Sequence, residues 1–229
     1  MSQKMKYLAL ALSLVLAACS GGGGGGDATE PAETTTTDGA TGGTAGGGTI
    51  TPAEPTTGYG FVTNPAGGNF GYNCIKDYAT GLIWEGKEPA NSSLRFYGRK
   101  YTNYDSTTSL QKPDAVIRSG IAPTLAEINA ITNTVGFVNA VNATALCGFS
   151  DWRLPTRAEL LTLIDTSLPE DSSRAKINTT WFPLTDRLFY WTSEASTTYT
   201  FYAWYVVFFN GVAVEGYRDN VNSHIRLVR

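Results

Sequence analysis

The rhythm of apolar and polar positions changes several times along this chain. Residues 7–18 form an apolar run broken only by Ser13 and preceded by Lys4 and Lys6. Twelve residues at about 1.5 Å each fall short of a hydrocarbon core about 30 Å thick. The run therefore reads as a secretory signal segment, with a positive start and a short apolar stretch. Residues 20–57 contain Gly21–Gly26, Thr34–Thr37 and Gly46–Gly48, and Ile50 is their only large aliphatic residue. With so little to bury, that stretch is expected to stay disordered. As a Gly-rich coil it would have a root-mean-square span of roughly 30–37 Å.

From residue 58 onward, aromatic and β-branched residues are dense, and Gly and Asn punctuate short segments. Helices are expected only in the middle. Thr124-Leu125-Ala126-Glu127 fits a capping box. Apolar residues then recur at Leu125, Ile128, Ile131, Val135, Val138 and Val141, at spacings of three and four. Gly136 and the polar stretch around Asn133 are expected to divide this region into two helices. Thr156-Arg157-Ala158-Glu159 is a second capping box and opens a short helix with Leu160, Leu161 and Ile164 inward. Ala203–Phe209 reads as a strand, Asn210-Gly211 as a two-residue hairpin turn, and Val212–Tyr217 as the return. His224–Arg229 reads as a final, alternating strand. Mostly antiparallel short strands with two or three helices make an α+β domain and argue against a doubly wound parallel sheet.

Charge sharpens the division. The whole chain has 17 basic and 20 acidic residues and a formal charge of -3. Two of the bases lie in 1–18, and five acids with no base lie in 19–57, so 58–229 holds 15 of each sign. A neutral domain lacks the basic excess of a nucleic-acid binder. One histidine and three cysteines leave little material for a metal cage, and no cofactor is expected.

Leu16-Ala17-Ala18-Cys19 resembles a bacterial lipobox, in which cleavage leaves Cys19 as a lipidated first residue. Several acyl chains on one cysteine give stable anchoring. Ser20 after the cysteine resembles the outer-membrane lipoproteins of Gram-negative bacteria. The expected organisation is a signal peptide over 1–18, a lipidated tether over 19–57 and one domain over 58–229. Cys74 and Cys147 then remain as an even pair in an exported domain, which points to a disulfide, with two free thiols as the other reading.

Several blocks resemble a known family. Cys74-Ile75-Lys76-Asp77-Tyr78-Ala79-Thr80-Gly81-Leu82-Ile83-Trp84 is similar to the "D-x-x-T-G-L-x-W" opening of the Lcl C-terminal-like domain family. Residues 147–160, from Cys147-Gly148-Phe149-Ser150-Asp151-Trp152-Arg153 to Leu160, are similar to its "C-G-x-S-D-W-R-L-P-T-x-x-E-L" block. Tyr190-Trp191-Thr192-Ser193 resembles its "W-[ST]-S" element, and 203–211 and 225–229 resemble its closing strands. The resemblance covers about 70–229 and departs most over 91–123. It implies a C-type-lectin-like fold with Cys74 and Cys147 bridged. The family's namesake is a collagen-like surface adhesin whose terminal domain binds sulfated glycosaminoglycans. This chain has no Gly-X-Y repeat.

Trp84, Trp152, Trp191 and Trp204 are expected in the core, His224 on a strand surface, and Asp151 in an ion pair with Arg226. Arg95, Tyr97, Arg99, Lys100, Tyr101 and Tyr104 concentrate three cations and three tyrosines, which makes them the candidate binding patch. Phe189, Tyr190, Tyr199, Phe201, Tyr202 and Tyr217 supply further aromatics. Glu88-Pro89-Ala90-Asn91 only faintly resembles a sugar-binding lectin motif, and Glu170, Asp171 and Asp186 fit no EF-hand. With no nucleophile–base constellation, a catalytic role is not expected. The expected function is a lipid-anchored binding or adhesion module whose partner is a glycan, an envelope protein or a host-surface protein. An assembly lipoprotein is the alternative, and an enzyme on the same fold is the third reading.

Overall fold

The computed structural model describes residues 55–107, 110–113 and 120–229. The expected signal peptide, Cys19 and nearly all of the expected tether lie outside the described residues. The described residues belong to one compact unit, 51–229. Its described residues form two sheets and three short α-helices. β1 (Tyr59–Phe61), β2 (Cys74–Asp77) and β3 (Ile83–Glu85) form an antiparallel sheet in the order β1-β2-β3. Then come α1 (Leu125–Ile128), α2 (Thr134–Ala143) and α3 (Arg157–Leu161). β4 (Phe189–Ala195), β5 (Tyr202–Val207), β6 (Val212–Tyr217) and β7 (Ser223–His224) form a second sheet in the order β6-β5-β4-β7. Only the β4–β7 pair is parallel. The α+β class with mainly antiparallel strands therefore holds.

Both capping boxes form. Thr124 and Thr156 accept from the amides of Glu127 and Glu159, whose carboxylates reach back to the threonine amides. The helical region does divide near Asn133, but Leu125 and Ile131 are exposed, because a single turn of α1 ends before their face can meet the core. The β5–β6 hairpin turns through four residues rather than two. Val207 pairs with Val212, and Phe208 is drawn inward, its amide donating to Leu188 O and its carbonyl accepting from Lys176 N.

The closing segment is what joins the two sheets. Ser223 and His224 pair with β4, and Leu227 and Arg229 then bond the backbone of β3. Residues 223–228 are all buried, so the expected alternation is absent. The reason is that the strands are covered on both faces. Trp191, Cys74, Ile225 and Leu227 pack with Phe137 and Val141 of α2, while Tyr190, Ile75 and Val228 pack with Leu160 of α3. A strand with two covered faces loses its polar side, so period-two patterning does not mark it. His224 is consequently interior, 2 % exposed, with Nδ1 3.1 Å from Arg99 O. Burial lowers its pKa despite the Asp186 carboxylate nearby.

The disulfide joins Cys74 at the start of β2 to Cys147 in the loop after α2. That loop is left-handed at Ala145, Cys147 and Gly148, a conformation that costs nothing at glycine alone. Asn142 clamps the same loop from α2: its amide donates to Trp152 O and its carbonyl accepts from Trp152 N. Trp84, Trp152 and Trp191 are buried as expected. Trp204 is half-buried under the Arg157 guanidinium, 4.1 Å from its ring centre.

Candidate functional site

The cation–tyrosine segment does not form one surface. Arg95, Tyr101 and Tyr104 are buried, Arg99 is half-buried, and only Tyr97 and Lys100 are exposed. Arg95 instead ties its own loop together, donating to Gly86 O, Asn73 Oδ1 and Glu88. Glu88 is therefore occupied by Arg95 and Ser93 rather than presented outward. Desolvation raises the Tyr104 hydroxyl to about 12 and pushes Tyr101 higher still. Side chains of such length were pulled inward because the 95–104 segment runs between the closing strand and the start of α2, bonding Ser223 O and Thr132 O.

The expected Asp151–Arg226 pair is replaced by Asp151–Arg229. Arg229 Nε lies 2.7 Å from Asp151 Oδ1, and its Nη2 lies 3.1 Å from Oδ2. Strand register decides this: Arg153 pairs antiparallel with Val228, which sets Arg229 beside Asp151 and turns Arg226 inward. The pair is a surface one, with the Asp151 side chain 63 % exposed. Glu170, Asp171 and Asp186 do not converge; among the described residues no three of His, Cys, Asp and Glu form a metal-holding group.

What the fold does assemble is a groove between α2 and β4, with a volume of about 230 Å³. Val135, Val138 and Leu154 form its apolar surface. Asn103, Asp105, Thr134, Asn139, Arg153 and Ser193 supply polar groups around it. Each of its built walls has a support. Asn103 Nδ2 donates to Thr192 O on β4, and Arg153 forms a two-pronged pair with Glu159, the carboxylate of the second capping box. Burial raises the Asp105 pKa, but hydrogen bonds from Thr107 and the charge of Arg218 outweigh it, leaving the carboxyl below its ordinary value.

Two supporting residues carried no sequence signal. Asn133, fully buried, accepts from Thr102 Oγ1 and Tyr104 N and donates to Tyr104 O and Ile128 O. It thus fixes the stretch between Asn103 and Asp105. Arg218, 1 % exposed, donates to Asn103 O at 2.8 Å, Asp105 Oδ2 at 2.7 Å and Tyr202 O at 3.2 Å. A single guanidinium thereby links the groove wall to β5.

Beyond Arg218 the end of the β5–β6 hairpin gathers four rings. Tyr199 stacks on Phe201, and Phe201 on Tyr217, with interplanar angles of 21° and 17°. Tyr202 meets Tyr217 edge-on at 4.6 Å between centroids. Tyr199 and Tyr217 are each about half exposed, at 50 % and 47 %. Hydrogen bonding to Tyr217 raises the Tyr202 hydroxyl to about 12. The water-facing ring cluster can stack on a flat apolar ligand face, and the groove against α2, whose lining includes none of these rings, offers amides and hydroxyls to polar edges.

Residues 73–229 match the model of the Lcl C-terminal domain. The chain belongs to the Lcl C-terminal domain family. No curated protein and no solved structure matches the chain. In this Lcl C-terminal domain the family blocks mostly build the frame: the Cys147–Leu160 block supplies one half of the disulfide, the Trp152 backbone that Asn142 clamps and the cap that supports Arg153. Asn103, Asp105 and Asn133 come from the stretch between the blocks. Among the described residues no helix is long and apolar enough to cross a membrane.

Proposed function

We propose that this is a lipid-anchored protein of the bacterial outer membrane that displays a recognition module with C-type-lectin-like architecture. Cys19 holds the anchor, residues 20–57 form the tether, and the domain binds through the groove and the ring cluster. The observation that carries this reading is Arg218, one buried guanidinium that bonds Asn103 and Asp105 at the groove and the backbone carbonyl of Tyr202, whose ring belongs to the cluster. Rings of this kind stack on apolar faces, and amide and hydroxyl rims satisfy polar edges, which suits a glycan or a peptide. A glycan array probed with the purified full-length chain tests the adhesion reading. Reproducible hits that disappear on Tyr199→Ala/Tyr217→Ala support it.

One feature favours the second reading, an assembly lipoprotein that contacts another envelope protein. Among the described residues β6, an edge strand of six residues, pairs only with β5, which leaves its outer backbone a candidate for strand addition. A clean array together with one specific envelope protein in crosslinked pull-downs would decide for assembly.

A further inference from the structure

Arg226 is 1 % exposed and makes no ion pair with a carboxylate among the described residues. Its guanidinium donates to Glu85 O at 2.7 Å, Thr185 Oγ1 at 2.9 Å and Leu184 O at 3.4 Å, while Nε has no hydrogen-bond partner. The nearby buried carboxylate is already engaged. Both oxygens of Glu85 accept from Lys87 Nζ at 2.9 Å, and one also accepts from Leu227 N. Arg95, the third buried cation here, pairs with Glu88. Three interior cations therefore face two carboxylates, which leaves one positive charge over. An uncompensated buried charge is among the most costly arrangements a protein can contain.

A narrow, partly open pocket lies against this cluster. Lys87 and Arg226 supply its charged lining, with Tyr72, Trp181, Phe182 and Leu184 around them. Its volume of about 10 Å³ suits one water-sized occupant. We propose that the pocket is a binding site for a single monoatomic anion, a halide such as chloride, which supplies the missing counter-charge for Arg226 and Lys87. The size excludes sulfate and phosphate. Cationic walls favour the anion over water, which cannot neutralise the excess charge.

The protonation of Lys87 sets when the anion is needed. Burial lowers its pKa to about 8, with Arg226 and Arg95 adding to the effect and Glu85 opposing it. These three groups and His224 are the charged or titratable neighbours that face it. Below that value the cluster carries its extra charge and holds the halide. Above it Lys87 is neutral, Arg226 and Glu85 balance, and the halide leaves.

Bromide is the direct probe. Crystals of the full chain soaked in sodium bromide should give an anomalous peak in the Lys87–Arg226 pocket, and none in Lys87→Met. A wild-type pocket silent at the bromine edge overturns the proposal, since water alone then occupies it. Thermal unfolding in chloride against gluconate at equal ionic strength gives a readout that needs no variant. At pH 7 and a halide concentration of ten times Kd, the melting temperature should rise by about 3–6 °C. At pH 9.5 the rise should vanish. Equal melting in both salts at pH 7, or a shift that persists at pH 9.5, contradicts the site.

Discussion

Replacing Asn133 with alanine should cost more stability than any other polar substitution in the middle of the chain. The side chain is fully buried and uses its whole hydrogen-bonding capacity, two bonds accepted and two donated. Removing it leaves Tyr104 N, Tyr104 O and Ile128 O without partners in the interior. Each such group costs about 1–3 kcal/mol. Water entering the vacated space offsets part of that, so the expected loss is roughly 3–5 kcal/mol. Asn133 also stands at the N-cap of α2, but its side chain makes no cap bond, so a lost cap does not contribute. Urea unfolding of the wild type and the variant measures the difference as a lowered midpoint with an unchanged slope. Asn133→Asp is the matched control of nearly equal shape. It turns a donor into an oxygen facing two carbonyls, so it should destabilise at pH 7. Those carbonyls raise the folded-state pKa of the new carboxyl, so stability should recover as pH falls through it and the proton restores a donor. A loss below about 1 kcal/mol in Asn133→Ala would refute this account of how the 102–105 stretch is held.

Other substitutions test the frame. Cys74→Ala/Cys147→Ala opens a link spanning a sequence separation of 73 and should lower stability by about 4 kcal/mol in chemical denaturation. Asp151→Ala should cost at most about 1 kcal/mol, because its partner is the surface residue Arg229; a loss of several kcal/mol would put the carboxylate back in the interior. Lys87 has its pKa lowered from 10.5 to about 8 by burial, so between those values the unfolded chain holds a proton that the folded chain has lost. Stability should therefore rise with pH there, by up to about 1.4 kcal/mol per unit, and Lys87→Met should flatten the slope.

Much of the frame was legible in the sequence because it rests on local chemistry. The capping boxes at Thr124 and Thr156 are satisfied within four residues, so their spacing alone announces the helix starts. The Val212–Tyr217 return strand was equally plain, although the turn before it takes four residues rather than the two expected. The errors share a different cause. His224 looks like a surface position in an alternating strand, yet the closing segment is covered on both faces. The same topology brings Arg229, not Arg226, to Asp151. The tyrosines and arginines of 95–104 suggested a sticky loop, but long-range backbone bonds to residues 132 and 223 draw that loop through the interior. Asn133 and Arg218 were missed for the same reason: each contacts residues far away in sequence, and no local pattern records such a contact. The aromatic tail from Tyr199 to Tyr217 was visible as composition, while its partial exposure is a property of the hairpin end.

The central claim is that recognition occurs at the groove and the rings joined to it by Arg218. Binding titrations with the best array ligand, using the wild type, Tyr217→Ala, Asn139→Ala and Tyr97→Ala/Lys100→Ala, test it most directly. The account predicts at least a tenfold weaker Kd, about 1.4 kcal/mol, for each of the first two variants, with both still folded at the temperature of the titration. It predicts no change for the last. Full affinity in Tyr217→Ala and Asn139→Ala, with binding lost in Tyr97→Ala/Lys100→Ala, would contradict it.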